Sequence, residues 1–185
     1  MAGIAQVITN RSGAQVIDGS LKFDGSYLKR TPGSAGNRKI FTWSGWVKLN
    51  ELASFYLFSV PDSSGHASLM FDSGQLRWNT YSTSTNGLFT SNAYFRDTGW
   101  YHVVFAFDAT ESATTDRIKV YVNGEQLTSS SYTTPDGSDT PVNNTVEHSI
   151  GARYQGATSG DVNITNNYFI DGLALGPEYF GYTDP

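Results

Sequence analysis

The chain has 185 residues, a formal net charge of −5, 16% charged residues and 14% aromatic residues. A chain of this length buries a real core as one domain without covalent staples, and its few charges and many rings exclude an extended disordered polymer. A mildly acidic chain without a basic run has no general attraction to phosphate backbones, which argues against nucleic acid as a partner. No apolar run reaches the length of a membrane span, which argues against a membrane partner as well.

With no cysteine, disulfides, thiolate metal sites and cysteine nucleophiles are ruled out, and assembly in a reducing cytoplasm is compatible with the composition. The first ten residues, MAGIAQVITN, lack a basic stretch followed by an apolar one, so they do not read as a secretory signal.

Residues 1–18 are small and polar, with short apolar groups at Val7-Ile8 and Val16-Ile17. They read equally as an assembly arm or as a first edge strand, and residues 19–185 as the domain proper. Leu21, Phe23 and Tyr27, Leu28 flank Asp24-Gly25-Ser26, a hairpin-type signal. The Gly/Ser/Pro-rich loop Thr31 to Lys39 follows. The nearby cations Arg30, Arg38 and Lys39 read as solvated surface.

Ile40 to Leu49 is the strongest predicted strand. Phe41, Trp43, Gly45, Val47 and Leu49 alternate to one side and Trp46 to the other, so the strand is either covered on both faces or lines a binding face. Phe55 to Val60, Ala67 to Phe71 and Gln75 to Trp78 follow, the last two joined at Asp72-Ser73-Gly74. Residues 79–93 are polar with apolar islands at Tyr81, Leu88 and Phe89. Trp100 to Asp108 forms a second central strand, with Tyr101, Val103, Phe105 and Phe107 on one face.

Arg117 to Val122 alternates too. Asn123-Gly124 then signals a type I′ hairpin returning through Glu125 to Thr128. Residues 129–145 make a polar loop long enough to be functional or mobile. Val146 to Ala152 and Tyr168 to Leu175 read as closing strands, and Pro177 opens one helical turn. Many short strands without an amphipathic helix predict an all-β, two-sheet antiparallel jelly-roll sandwich.

Six segments carry a family resemblance in order along the chain: Ser20 to Gly25, Phe41 to Val47, Trp100 to Val104, Arg117 to Gly124, Ile150 to Ala152 and Phe169 to Leu175. Together they resemble the laminin-G-like branch of the concanavalin A-like lectin/glucanase superfamily across residues 20–180. Leu28 to Pro32, Asn37 to Lys39, Phe95 to Asp97, Asn143 to His148 and Tyr168 to Gly172 further resemble laminin-G-like domains in structural proteins of marine tailed phages, notably cyanophages. That resemblance implies a virion protein assembled in the host cytoplasm, as a capsid decoration or a fibre or appendage component. Its implied partners are other capsid or tail chains and further copies of itself. It also implies a calcium position on the convex face, with Asp171 and the backbone near Asp24-Gly25 as matching residues and oxygen ligands suited to Ca²⁺. Asp171 reads equally as a turn-closing or locally paired residue.

Glycosidases of this superfamily need two carboxylates flanking the scissile bond. The two central strands, Ile40 to Leu49 and Trp100 to Phe107, carry none, and the acids elsewhere are scattered, so a hydrolase is a distant third reading. His102 and His148 could meet across two strands, but no metal or catalytic spacing supports a role. A saccharide site is the better expectation, because sugars lay apolar faces on aromatic rings while amides bond their hydroxyls. Trp46, Trp78, Tyr81 and Tyr154 are the ring candidates, and Asn79, Asn143 and Asn144 the polar ones. Trp43 and Trp100 are assigned to the core. The readings are a non-enzymatic virion component that touches host-surface glycans and, as the alternative, a carbohydrate-binding adhesin.

Overall fold

The computed structural model describes residues 17–62, 65–81, 86–153 and 160–181. The arm expected over residues 1–18 lies outside them except for its last two residues. Strands are numbered in chain order. One sheet has six, in the order β1 (Leu21–Phe23), β13 (Val162–Asp171), β3 (Ile40–Leu49), β8 (Trp100–Asp108), β9 (Ile118–Val122) and β10 (Glu125–Gln126). The other has seven: β11 (Ser129–Thr133), β7 (Asn86–Tyr94), β6 (Gln75–Tyr81), β5 (Gly65–Asp72), β4 (Phe55–Asp62), β12 (His148–Ile150) and β2 (Leu28–Arg30). Every pairing is antiparallel, and the two sheets pack as a jelly-roll sandwich. Short 3₁₀ turns occur at Thr114–Asp116 and Pro177–Tyr179, the second opening on its proline as expected. Among the described residues no helix is long and apolar enough to cross a membrane.

The period of two in β3 sends Phe41, Trp43, Val47 and Leu49 inward, all buried. Gly45 shares that face because the Trp43 ring occupies the space of a side chain there: a Cβ would come within 2.9 Å of it. Phe105 and Phe107 on β8 and Leu76 and Trp78 on β6 complete the core. Across the gap, the Trp78 and Phe105 ring centroids are 4.3 Å apart, and within the six-stranded sheet Phe41 stacks on its cross-strand partner Phe107 at 5.0 Å. Trp78 is therefore core and not a sugar platform. Trp100, assigned to the core, is instead half-buried at the start of β8.

Two tight turns match their sequence signals. Ser73-Gly74 and Asn123-Gly124 both have positive φ at both positions, which makes them type I′ turns. The Asp24-Gly25 turn does not close a hairpin. β1 pairs with β13 and β2 with β12, so this turn carries the chain from one sheet to the other.

The polar stretch 79–93 contains β7, and the long loop 129–145 begins with β11, which pairs with β7. The rest of that loop is packed structure: Pro135, Thr140, Val142 and Asn143 are buried. Arg38 is bound into it, its Nε donating to Thr140 O at 2.7 Å and its guanidinium lying 3.5 Å from Asp139. It is therefore not simply solvated surface.

The last strand begins and ends earlier than its apolar run implies. After Asp171 the chain leaves the sheet and crosses the outer face of β3, where Thr42 Oγ1 donates to Leu173 O and accepts from Leu175 N. Thr42 and Ser44 are buried on that face, so β3 is covered on both sides.

Replacing Trp78 with alanine should cost about 3–5 kcal/mol in urea unfolding, as for a large ring lost from a packed core. Trp78→Phe should cost less, because the indole N–H finds no hydrogen-bond partner among the described residues. Equal losses would show that the N–H, and not the ring volume, carries the site.

Candidate functional site

The inward alternation of Leu76, Trp78 and Thr80 sends Gln75, Arg77, Asn79 and Tyr81 to the outer face of the seven-stranded sheet. The β5–β6 register sets His66 opposite Tyr81, Ser68 opposite Asn79 and Met70 opposite Arg77, while Tyr56 on β4 stands opposite Met70. Tyr56, His66, Ser68, Met70, Arg77 and Asn79, with Asp72 and Arg153, line a groove of about 440 Å³.

Tyr81 is half-exposed beside this groove and stacks on the His66 ring with centroids 6.0 Å apart. The Asn79 amide lies 3.2 Å from His66 Nε2, which accepts from it when the ring proton is on Nδ1. Arg77 Nη1 donates to Asp72 Oδ2 at 3.0 Å. Burial, and after it the nearby Arg153 charge, hold the His66 pKa below its ordinary value. His66 is thus a neutral ring at neutral pH. An aromatic face, an amide, a neutral imidazole and two guanidiniums form a surface that can stack against a sugar ring and bond its hydroxyls or a carboxylate.

Asp72 is the one carboxylate among the described residues lining the groove, and it is already paired with Arg77.

The other predicted site residues are dispersed. Trp46 lies on the outer face of the opposite sheet, half-buried and stacked on His102 at 5.1 Å. His102 in turn lies 3.1 Å from Ser44 Oγ and packs against Phe180. Asn143 is a buried structural residue: its Nδ2 donates to Asn37 O and to Asp171 Oδ1, and its φ is +61°. Asn144 Oδ1 accepts from Thr145 N within a local turn. Tyr154 lies outside the described residues. Among the described residues, only Asn79 and Tyr81 of the expected set come together.

Asp171, Asp24 and Gly25 do not form a calcium site. Phe23 pairs with Val162 at one end of β13 and Asp171 ends the other, about 30 Å away at ~3.3 Å per residue. Asp171 Oδ1 instead accepts from Asn37 N at 2.8 Å and Asn143 Nδ2 at 2.9 Å, the local pairing that was its other reading. Among the described residues no three His, Asp or Glu side chains are grouped to hold a metal. His102 and His148 belong to different sheets and do not meet.

Sequence reasoning missed Tyr56, His66, Arg77 and Arg153. The signal for Arg77 was present, since strict alternation places it beside Asn79 and Tyr81 and opposite to Trp78. Arg153 carried none, because it follows β12 and reaches the groove only through the fold.

A laminin-G-type family model, described as the concanavalin A-like lectin/glucanases superfamily, matches residues 22–169. The chain belongs to this superfamily. No curated protein matches it in sequence. Mouse laminin alpha1 chain domains LG4-5 share the fold with a TM-score of 0.62 at 16% identity, over 93% of this chain and 46% of that one. The heptameric SAP-like pentraxin from Limulus polyphemus aligns with a TM-score of 0.58 at 15% identity, over 89% of this chain and 76% of the pentraxin. The binding domain of botulinum neurotoxin DC in complex with SialylT gives 0.59 at 12% identity, over 86% of this chain and 40% of that one. The chain thus spans less than half of the laminin and neurotoxin chains.

Burial lowers the pKa of His66, His102 and His148 alike from the ordinary 6.5. The unfolded chain then binds more protons than the folded one as pH falls below 6.5. The stability these rings contribute is complete above that value and lost as pH falls through their folded-state pKa values. The melting temperature should therefore be lower at pH 5.5 than at pH 8. His148 Nε2 accepts from Asn143 N at 3.0 Å, so His148→Gln should shrink the difference. An undiminished drop in the variant would remove His148 from the cause.

Proposed function

We propose that this chain is a non-catalytic saccharide-contacting module of a virion, carried on a capsid surface or in a fibre or appendage. In this reading it presents the outer face of the seven-stranded sheet to host-surface glycans. The observation that carries the saccharide reading is the convergence of Tyr81, His66, Asn79, Arg77 and Arg153 around one groove on that face. The opposite sheet is partly covered by the chain's own C-terminal segment, so the two faces are not equivalent. The complex of a similarly folded neurotoxin binding domain with SialylT supports a saccharide partner. The virion placement is supported by the phage-like segments at residues 28–32, 37–39, 95–97, 143–148 and 168–172. Several copies on one particle would multiply a weak single-site affinity through avidity.

A ring face at Tyr81 beside the Asn79 amide and the Arg77 guanidinium suits the apolar face and hydroxyls of a sugar. On an array of neutral and acidic glycans the chain should bind a defined subset. Tyr81→Ala should weaken binding about tenfold, equivalent to about 1.4 kcal/mol, and Trp46→Ala should leave it unchanged. Loss with Trp46→Ala and retention with Tyr81→Ala would move the site to the other sheet, and silence across the array would sink the saccharide reading.

Mass spectrometry of purified particles from the source should find the chain at a fixed stoichiometry to the capsid or tail proteins. Glycan binding without any particle association would make it a free-standing adhesin.

A further inference from the structure

Among the described residues, the side of the sandwich where β1 and β13 face β2 and β12 is open, and β1 pairs with Val162–Ile164 of β13 alone. From Thr165 to Asp171, β13 pairs with β3 on one side and, among the described residues, with no strand on the other. Beside this bare edge lies an apolar groove of about 730 Å³, lined by Leu28, Phe58, Ile150 and Phe169. It continues into a second groove of about 370 Å³ bounded by Leu21, Phe23 and Ile164. Leu21 and Leu28 are 57% and 50% exposed. An unpaired strand edge next to a row of apolar side chains invites another strand.

The chain itself enters at this place. Gly19 and Ser20 line the second groove, and because β1 is antiparallel to β13, continuing backward from Leu21 leads along the bare edge toward Asp171. The bulge between Thr165 and Tyr168, with Asn166 at φ +47°, interrupts the ladder beside residues 17–20. Beyond it Tyr168–Asp171 is regular strand again.

Sixteen residues precede Ile17, with Ile4, Val7, Ile8 and Val16 among them, no proline, and Arg11 as their one charged side chain. β-Branched residues suit an added strand. The distance to be covered, Thr165 to Asp171, is about 20 Å at ~3.3 Å per residue, while sixteen extended residues span roughly 50 Å.

We propose that residues 1–16 dock in cis on the Tyr168–Asp171 edge of their own chain and lay their β-branched side chains into the groove over Phe58, Ile150 and Phe169. Tethering through Gly19 and Ser20, which line the second groove, gives this segment an effective concentration in the ~mM range, which a free partner must exceed. The docking is independent of the saccharide site, which lies on the outer face of the other sheet.

Hydrogen exchange on the full chain tests it, together with a full-length variant carrying Ile8→Asp and Val16→Asp. In the wild type, the Tyr168–Asp171 amides that point away from β3 should be protected to the same extent at every protein concentration. In the variant they should exchange severalfold faster, and fluorescence of an added hydrophobic dye should rise. Unchanged amides in β3 and β8 would show that the variant is folded. Edge amides as fast as loop amides in the wild type, or equally protected in the variant, would overturn the proposal. Protection that fades on dilution would also overturn it and assign the groove to the arm of a second copy.

Discussion

The interlock of Trp78 with Phe105 across the two sheets is the contact on which the rest of the molecule depends. With ring centroids 4.3 Å apart, it fixes which face of β6 and which face of β8 look inward. Since side chains alternate strictly along a strand, a one-residue slip in either strand would turn its whole apolar row to solvent. Phe41 joins both rings, lying 6.0 Å from Trp78 and 6.2 Å from Phe105. These rings form one aromatic cluster at the centre of a core that aliphatic side chains complete. The position of the groove-side residues follows from it: Arg77, Asn79 and Tyr81 are outside because Leu76, Trp78 and Thr80 are inside.

This constraint explains what was legible in the sequence and what was not. The faces of β3, β8 and β9 could be read directly, because their apolar residues recur every second position over five or more residues. The same rule shows why Trp78 and Asn79 cannot belong to one site: adjacent residues of a strand point to opposite faces. Composition had grouped them, as an indole and an amide are each suited to sugars, but period two separates them. Sheet membership was not legible. The Asp24-Gly25 turn has local chemistry suited to a hairpin, and nothing nearby shows that Phe23 and Leu28 choose different sheets. Their partners, Val162 and Ile150, lie more than a hundred residues away.

Polar residues of the rim show the same dependence on distant partners. Asn143 and Asp171 look like surface ligands in sequence, yet together with Asn37 they tie three chain segments together. Asp171 accepts from the Asn37 backbone and the Asn143 amide, while Asn37 Oδ1 accepts from Lys39 N and Ile40 N. Donors and acceptors satisfied in this way are largely consumed by the fold, so Asn143 serves the end of β13 and not a ligand. On the outer face of β3, Thr42 is consumed likewise by the segment after Asp171. Gly151 makes a related contribution by shape: its positive φ, and the Phe23 ring packed where a Cβ would stand, let β12 end directly over β1.

What these demands leave available is the outer face around β5 and β6, and its electrostatics define the kind of ligand it suits. The chain as a whole is acidic, at −5, so a polyanion that comes within the Debye length of about 8 Å meets net repulsion over most of the surface. Arg77 and Arg153 line one groove, with Asp72 engaging Arg77. Such an arrangement does not steer highly charged polymers. In the proposed reading the ligand is held at contact, by its hydroxyls on Asn79 and an apolar face on Tyr81. Recognition by contact and not by steering places the discrimination in the dissociation rate, which is where repeated copies on one surface add most.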